Sequence, residues 1–153
     1  MFNRDFNPFV CDGDGIMCEV DGFDICATLH RDDCTDSPEE RSDCFWPSLD
    51  PKAPGYIGAK SKSTLARHMK HAQHVMDSWR RDEWHYFGVA VTVAKNGVQL
   101  IGTFDHAVWG IEGNYPPLGK AKRNPNSYFR EVANELLVGA LESAKAKVAM
   151  LCR

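Results

Sequence analysis

Three histidines stand at three-residue intervals along one polar stretch, at His68, His71 and His74. Residues three apart lie side by side on a helix, so neighbouring members of this set could share a metal ion. His68, however, borders the apolar side of the helix, whereas His74 points nearly opposite to that side, and the pattern places no acidic ligand beside them. We therefore expect no metal site and assign these histidines to the boundary and surface of a helix.

The chain offers no motif for nucleophilic catalysis. It contains no Gly-x-Ser-x-Gly elbow, and its six cysteines include no Cys-x-x-Cys pair. Asp105 and His106 could form an acid–base pair, but adjacent residues of a strand point to opposite faces. The sequence therefore predicts a protein that is not an enzyme, with no catalytic residue, no metal and no cofactor. A small metal-dependent enzyme is kept as an alternative.

A glycine-containing loop, Gly55-Tyr-Ile-Gly58, leads into a run of basic residues. It lacks the contiguous Gly-Lys-Ser of a phosphate-binding loop, and it follows a segment broken by prolines, unlike the Gly-x-x-Gly clamp of an RNA-binding module. The simpler interpretation is a loop in front of a capped helix. A nucleic-acid-binding module is the alternative function, and its contact residues would be Lys60, Lys62, Arg67, Lys70, Lys120, Lys122 and Arg123.

The charge of the chain is distributed unevenly. The formal net charge is −3, but residues 1–50 contain 13 acidic and 3 basic residues, whereas residues 51–153 contain 8 acidic and 15 basic residues. The two parts therefore carry net charges of −10 and +7. Such asymmetry is typical of a protein with a charged partner.

Many of the acidic residues lie in one segment, which we predict to be irregular over residues 31–57. A connection of this length favours a function of its own. Clustered carboxylates can occupy a lysine- and arginine-rich groove that is built for phosphates, and a tryptophan beside them is a typical interface anchor. A solvated acidic loop is the simpler alternative. The predicted partner-binding residues are Asp32, Asp33, Asp36, Glu39, Glu40, Asp43 and Trp46.

Two β-hairpins are predicted from Asp21-Gly22 and Asn96-Gly97, because each dipeptide stands between runs of alternating apolar residues. The first hairpin should bury one face, made of Ile16, Cys18, Val20, Phe23, Ile25, Ala27 and Leu29. In the second hairpin, Lys95 should pair with Val98, and the shared apolar face should contain Val89, Val91, Val93, Val98, Leu100 and Phe104. Its other face carries only small residues, at Gly88, Ala90, Thr92 and Ala94.

Two amphipathic helices are predicted, over residues 63–83 and 125–151. Ser61 or Ser63 can cap the first, and Asn124 followed by Pro125 is typical of the start of the second. The order ββαββα predicts an α+β fold, in which an antiparallel sheet of about four strands carries both helices on its apolar face. We expect a single domain over residues 1–153, with residues 107–124 irregular. The second helix has more apolar residues, Val138 and Met150 among them, than one sheet face needs, which favours either a homodimer or burial within one subunit.

Several stretches together resemble small proteins of proteobacterial plasmids and integrative conjugative elements, over about residues 15–151. They are SLDP at 48–51, GYIG at 55–58, KSKSTLARHM at 60–69, GIEGNYP at 110–116 and EVANELL at 131–137. That genetic setting includes anti-CRISPR and anti-restriction inhibitors, so the resemblance implies a counter-defence role. We therefore expect a non-enzymatic inhibitor that binds a basic surface of a type I CRISPR surveillance or nuclease complex through its acidic segment. The nucleic-acid-binding alternative would act within a mobile element.

The compartment follows from what the sequence lacks. No apolar run approaches the roughly 18 residues needed to span a bilayer, and the first ten residues contain no apolar core of a signal peptide. Cysteines without a secretory signal favour a reduced cytoplasmic protein. The leading hypothesis therefore places the protein in the cytoplasm of a bacterial host, with neither a membrane nor nucleic acid as a direct partner.

Overall fold

The structure, a computed structural model, describes residues 1–120 and 123–152. Its elements are β1 (Gly15–Val20), β2 (Phe23–Arg31), α1 (Pro38–Arg41), α2 (Lys62–Arg80), β3 (His85–Lys95), β4 (Val98–Gln99), β5 (Ala107–Gly113) and α3 (Tyr128–Leu151). Within the described residues the strands form a five-stranded sheet in the order β1-β2-β3-β4, in which β5 also pairs with β3. The predicted α+β class is confirmed, with α1 and β5 as additional elements.

The described chain divides into two compact units. Residues 1–32, 86–114 and 123–152 form the first, here called the sheet unit, which contains nearly all of the sheet and α3. Residues 33–85 and 115–120 form the second, here called the α2 unit, which contains α1 and α2. The single domain and the packing of α2 on the sheet stay predictions.

Both predicted hairpin turns form. Asp21 and Gly22 have φ angles of 55° and 73°, and Asn96 and Gly97 have φ angles of 51° and 77°. Two consecutive residues in the left-handed region give the turn whose twist matches that of the flanking strands. The registers are those expected, with Val20 opposite Phe23 and Lys95 opposite Val98.

The prediction for Phe104 is wrong. β4 ends at Gln99, and the chain then turns, with the Gly102 N–H donating to Asp105 Oδ2 at 2.7 Å. Phe104 is 56% exposed, and its ring meets His30 edge-on with centroids 5.1 Å apart. His30 alternates with the fully buried Leu29 along β2, so Phe104 lies on the outer face of the sheet rather than with the core valines.

The strand β5 lies in a region that was predicted to be irregular. Trp109 stands on the outer face, where it covers Gly88, whereas Ile111 belongs to the core two residues later. Strict alternation would place both side chains on one face. Gly110 between them has a φ of 80°, and we infer a β-bulge there, which turns the second half of β5 inward.

The core of the sheet unit lies between the inner face of the sheet and α3. Phe87 on β3 meets Phe129 on α3 at a centroid distance of 6.0 Å, and both are 1% exposed. The regular part of α3 begins at Tyr128, later than predicted, because residues 125–127 form a turn. Asn124 therefore accepts a hydrogen bond from the Asn126 N–H at 2.9 Å instead of capping α3 directly.

Residues 1–10 form an extended N-terminal arm, and asparagine side chains hold its backbone. Asn134 and Asn114 each bond one arm residue twice: the side-chain oxygen accepts from the N–H of Phe2 or Val10, and the side-chain nitrogen donates to the same residue's carbonyl. The buried Asn126 donates to the carbonyls of residues 7 and 8 and accepts from the Asn114 N–H. The arm thereby places Phe2, Phe6 and Val10 in the core.

In the α2 unit, α2 is fixed by a cap and by one tryptophan. Ser61 Oγ accepts from the Thr64 N–H at 3.2 Å, which confirms Ser61 as the capping residue. Trp84 is fully buried, donates its indole N–H to the Val75 carbonyl at 2.9 Å, and meets Tyr115 edge-on at 4.9 Å. These contacts hold Trp84 against α2 and Tyr115 against Trp84.

Candidate functional site

The acidic segment contains a short helix whose start is built by its own side chains. The Glu40 carboxylate accepts from both the N–H and the hydroxyl of Ser37 at 2.7 Å, and the Glu40 N–H donates back to the Ser37 carbonyl at 3.0 Å. The two residues form a capping box. The hydrogen bond from the Ser37 backbone, with that from its hydroxyl, lowers the pKa of Glu40. The Ser-x-x-Glu spacing that specifies this cap is local, and sequence reasoning missed it. Glu40 is therefore a structural residue of α1.

Glu39 and Trp46 come together as the candidate docking pair. The Trp46 indole N–H donates to Glu39 Oε2 at 2.9 Å, and the indole meets Phe45 edge-on with centroids 5.0 Å apart. Glu39 is exposed and Trp46 is half-buried. The structure thus joins a carboxylate of the acidic segment to its tryptophan.

The other predicted partner-binding residues are divided. Asp33, Asp36 and Asp43 are exposed carboxylates of the α2 unit. Asp32 belongs to the sheet unit, where its N–H donates to the Tyr86 carbonyl at 2.9 Å. We call the remaining set the acidic surface, which consists of Asp33, Asp36, Glu39, Asp43 and Trp46.

The residues of the nucleic-acid alternative fall into three groups. Lys60, Lys62, Arg67 and Lys70 are exposed along the start of α2. Lys120 is exposed in the α2 unit, and Arg123 is exposed in the sheet unit. Lys122 lies outside the described residues.

The three histidines of α2 differ in exposure, since His68 and His71 are half-buried and His74 is exposed. No three His, Cys, Asp or Glu side chains in residues 1–120 and 123–152 lie together in a way that could hold a metal ion. His71 is instead within 2.9 Å of the Pro116 carbonyl through Nε2. Neighbouring histidines of α2 are thus spread over its surface and boundary.

Asp105 and His106 do not act as a pair. The Asp105 carboxylate accepts from Gly102, as described above, whereas His106 Nε2 lies 3.0 Å from Ser143 Oγ on α3. Gly139 on α3 permits this approach, because a Cβ there would lie 3.3 Å from His106 Cε1. The His106–Ser143 contact therefore ties the start of β5 to α3 within the sheet unit.

Sequence reasoning missed an aromatic cluster on the outer face of the sheet. It consists of His30, Phe104 and Trp109, whose ring centroids lie 5.1 to 6.4 Å apart. Gly88 makes room for the indole, since a Cβ at this position would lie 2.3 Å from Trp109 Cε3. The face of small residues on β3 was the available signal, but it does not identify which side chain covers it.

Comparisons with family models, with curated proteins and with solved structures found no match to this chain. No helix in the described part of the chain is both long and apolar enough to span a lipid bilayer.

Proposed function

We propose that this protein is a non-enzymatic inhibitor that binds another protein through its acidic surface. The Glu39–Trp46 hydrogen bond is the observation that carries the proposal, because it fixes an aromatic side chain beside the exposed carboxylate of Glu39. Partly exposed tryptophans are enriched among the residues that dominate binding energy. The neighbouring charges would steer association with a basic surface.

The geometry of α1 indicates that the part of the acidic surface around Glu39 is preorganised for binding. The capping box fixes the start of the helix that bears Glu39, so binding requires less ordering of this segment. Asp33, Asp36 and Asp43 flank the helix in sequence and are exposed. Together these carboxylates fit a surface of lysines and arginines that otherwise binds phosphates.

The resemblance to proteins of plasmids and integrative conjugative elements suggests the kind of target. In the cytoplasm of a bacterial host, a basic surface that binds nucleic acid is the functional part of a type I CRISPR surveillance or nuclease complex. Occupation of such a surface by carboxylates would block its guide, its target or its nuclease subunit. The proposal therefore assigns the protein an anti-CRISPR activity.

The test reverses the three carboxylates that have no role in building α1. The variant Asp33→Lys, Asp36→Lys, Asp43→Lys is compared with Asp24→Lys, Glu112→Lys, Glu131→Lys, which makes the same charge change at exposed positions of the sheet unit. Binding to purified type I surveillance complexes and Cas nucleases is measured by surface plasmon resonance. We expect roughly 100-fold weaker binding for the first variant, mostly through slower association, and little change for the second.

Two outcomes of the variant comparison would contradict the proposal. One is unchanged binding of the first variant when its circular dichroism and thermal midpoint match those of the wild type. The other is an equal loss in both variants, which would show that net charge rather than the acidic surface determines binding. Absence of wild-type binding to every complex in the panel would refute the proposed target class.

A further inference from the structure

We propose that α2 carries a second binding surface, which docks on the phosphate backbone of duplex DNA. The surface, here called the basic face, consists of Lys60, Lys62, Arg67 and Lys70. It uses different residues from the acidic surface, so the two proposals stand or fall separately. These four charges are exposed, have no ion-pair partner among the described residues, and oppose the helix that carries them.

All four side chains of the basic face are exposed. Within the described residues, none of them forms a hydrogen bond or an ion pair through its side chain. The other end of α2 is different: Arg80 pairs with Asp77, and Arg81 pairs with Glu83 at 2.7 Å. The positive charge at the start of the helix is therefore not neutralised, whereas that at its end is.

Lys60 precedes α2, and the helical positions of Lys62, Arg67 and Lys70 fall within an arc of about 140°. Arg67 and Lys70 are three residues apart and therefore neighbours, and Lys62 lies about 12 Å before Lys70 along the axis. The opposite side of α2 is buried through Ala72, Val75 and Met76. A row of cations of this length can contact successive phosphates.

The folding of α2 does not explain these charges. A helix N-terminus carries a partial positive charge, so cations there are unfavourable and acidic residues are favourable. The first turn of α2 contains no acidic residue, and Lys60 and Lys62 stand at its beginning. Ser61 already satisfies the Thr64 N–H, so the surface consists of side-chain charges rather than of an open helix end. Residues that oppose local stability are expected at functional positions.

The kind of nucleic acid follows from the side chains between the cations. No Phe, Tyr or Trp stands between Lys62 and Lys70, and base stacking on such residues is what single-strand binders use. A surface that offers charge alone is suited to a rigid duplex backbone and reads no sequence.

The test measures binding of the full-length protein to a 20-base-pair DNA duplex by fluorescence anisotropy at 50 to 200 mM salt. With four phosphate contacts, the slope of log K against log salt should be about −3.6, which corresponds to about 150-fold weaker binding over this range. The variant Lys62→Gln, Arg67→Gln, Lys70→Gln should reduce the slope to about −0.9. Lys52→Gln, Arg80→Gln, Lys147→Gln removes the same charge elsewhere and should bind within about twofold of the wild type.

A second variant separates binding from folding. Lys62→Glu places an acidic residue in the first turn, so it should weaken duplex binding while it raises the thermal midpoint by about 1–4 °C. A lower midpoint would show that Lys62 serves the fold and would overturn the electrostatic argument.

The remaining outcomes overturn the surface or its ligand. No duplex binding at 50 mM salt, or equal losses in the two triple variants, refutes the basic face. Tighter binding of the corresponding single strand refutes the assignment to duplex DNA. The triple aspartate variant of the acidic surface should still bind the duplex, so failure of the protein-binding proposal leaves this one intact.

Discussion

Trp109 lies over Gly88 on the neighbouring strand, and its indole occupies the space into which a side chain at position 88 would project. Position 88 therefore favours glycine because the indole fills the space of a Cβ, and not because the backbone conformation requires glycine. The pair lies at the centre of the cluster with His30 and Phe104 on the outer face of the sheet.

Gly88→Ala should destabilise the protein by about 1–3 kcal/mol, because the added Cβ would stand 2.3 Å from Trp109 Cε3 and the indole must move. The same substitution in a Trp109→Ala background should be nearly neutral, since the space is then free. Urea unfolding of the four proteins gives the coupling energy. Equal losses in both backgrounds would show that Gly88 is constrained by something other than the indole.

Asn126→Ala should lower the free energy of unfolding by about 1–3 kcal/mol, because it removes a buried side chain whose hydrogen bonds hold three backbone groups. The backbone groups that lose a hydrogen bond are the carbonyls of residues 7 and 8 and the Asn114 N–H. Trypsin should then cut faster at the exposed Arg4. Asn7→Ala is the control, since only the carbonyl of Asn7 contacts Asn126, and it should change little. An unchanged cleavage rate of Asn126→Ala would show that Asn126 does not hold the N-terminal arm in place.

The Asp21–Lys145 pair should make stability depend on pH. Their hydrogen bond of 2.6 Å, together with the charge of Lys145, lowers the pKa of Asp21 below its ordinary value. The stabilisation is therefore present above the ordinary carboxyl pKa of about 3.9 and is lost as the pH falls through the lowered value.

Asp21→Asn tests this dependence, because asparagine suits the same turn and cannot ionise. The urea midpoint of the wild type, relative to that of the variant, should be higher at pH 7 than at pH 3. Any effect of asparagine on the turn itself is the same at both pH values and does not change this trend. Lys145→Gln should show the same trend. A difference that is constant with pH would exclude the ion pair as its source.

Trp46→Phe tests the aromatic part of the acidic surface. It removes the donor to Glu39, which is exposed, so stability should fall by less than about 1 kcal/mol. Binding to the target complex should weaken by about 10- to 30-fold, the effect of losing an interface anchor. Tyr56→Phe, at an aromatic residue of the same unit that is 41% exposed, should bind like the wild type. If Trp46→Phe binds as tightly as the wild type, Trp46 is not part of the binding surface.

The parts of the fold that were predicted correctly depend on neighbours in sequence. Asp21-Gly22 and Asn96-Gly97 specify their turns through their own backbone preferences, and the turns set the strand registers. Ser61 caps α2 through a residue three positions away. Such signals need no knowledge of the rest of the chain.

The parts that were missed depend on distant contacts. Asn124 reads as a helix cap, but its side-chain nitrogen donates to the Phe6 carbonyl, and that contact fixes a turn before α3. The bulge at Gly110 breaks the alternation that would have revealed β5. The capping box of α1 is different, because Ser37 and Glu40 are only three residues apart and the Ser-x-x-Glu spacing could have revealed it.

The asparagine side chains bind the backbone of the N-terminal arm, so the position of the arm depends more on the spacing of its buried residues than on the identity of the others. Because Asn134, Asn114 and Asn126 bind main-chain groups, many side chains would satisfy the same bonds, and only the four-residue interval of Phe2, Phe6 and Val10 is fixed by the core. Single substitutions at the exposed positions between these anchors leave the arm in register, whereas insertion or deletion of one residue displaces every anchor beyond it. The outward-facing side chains of the arm can therefore be changed freely, whereas its length cannot.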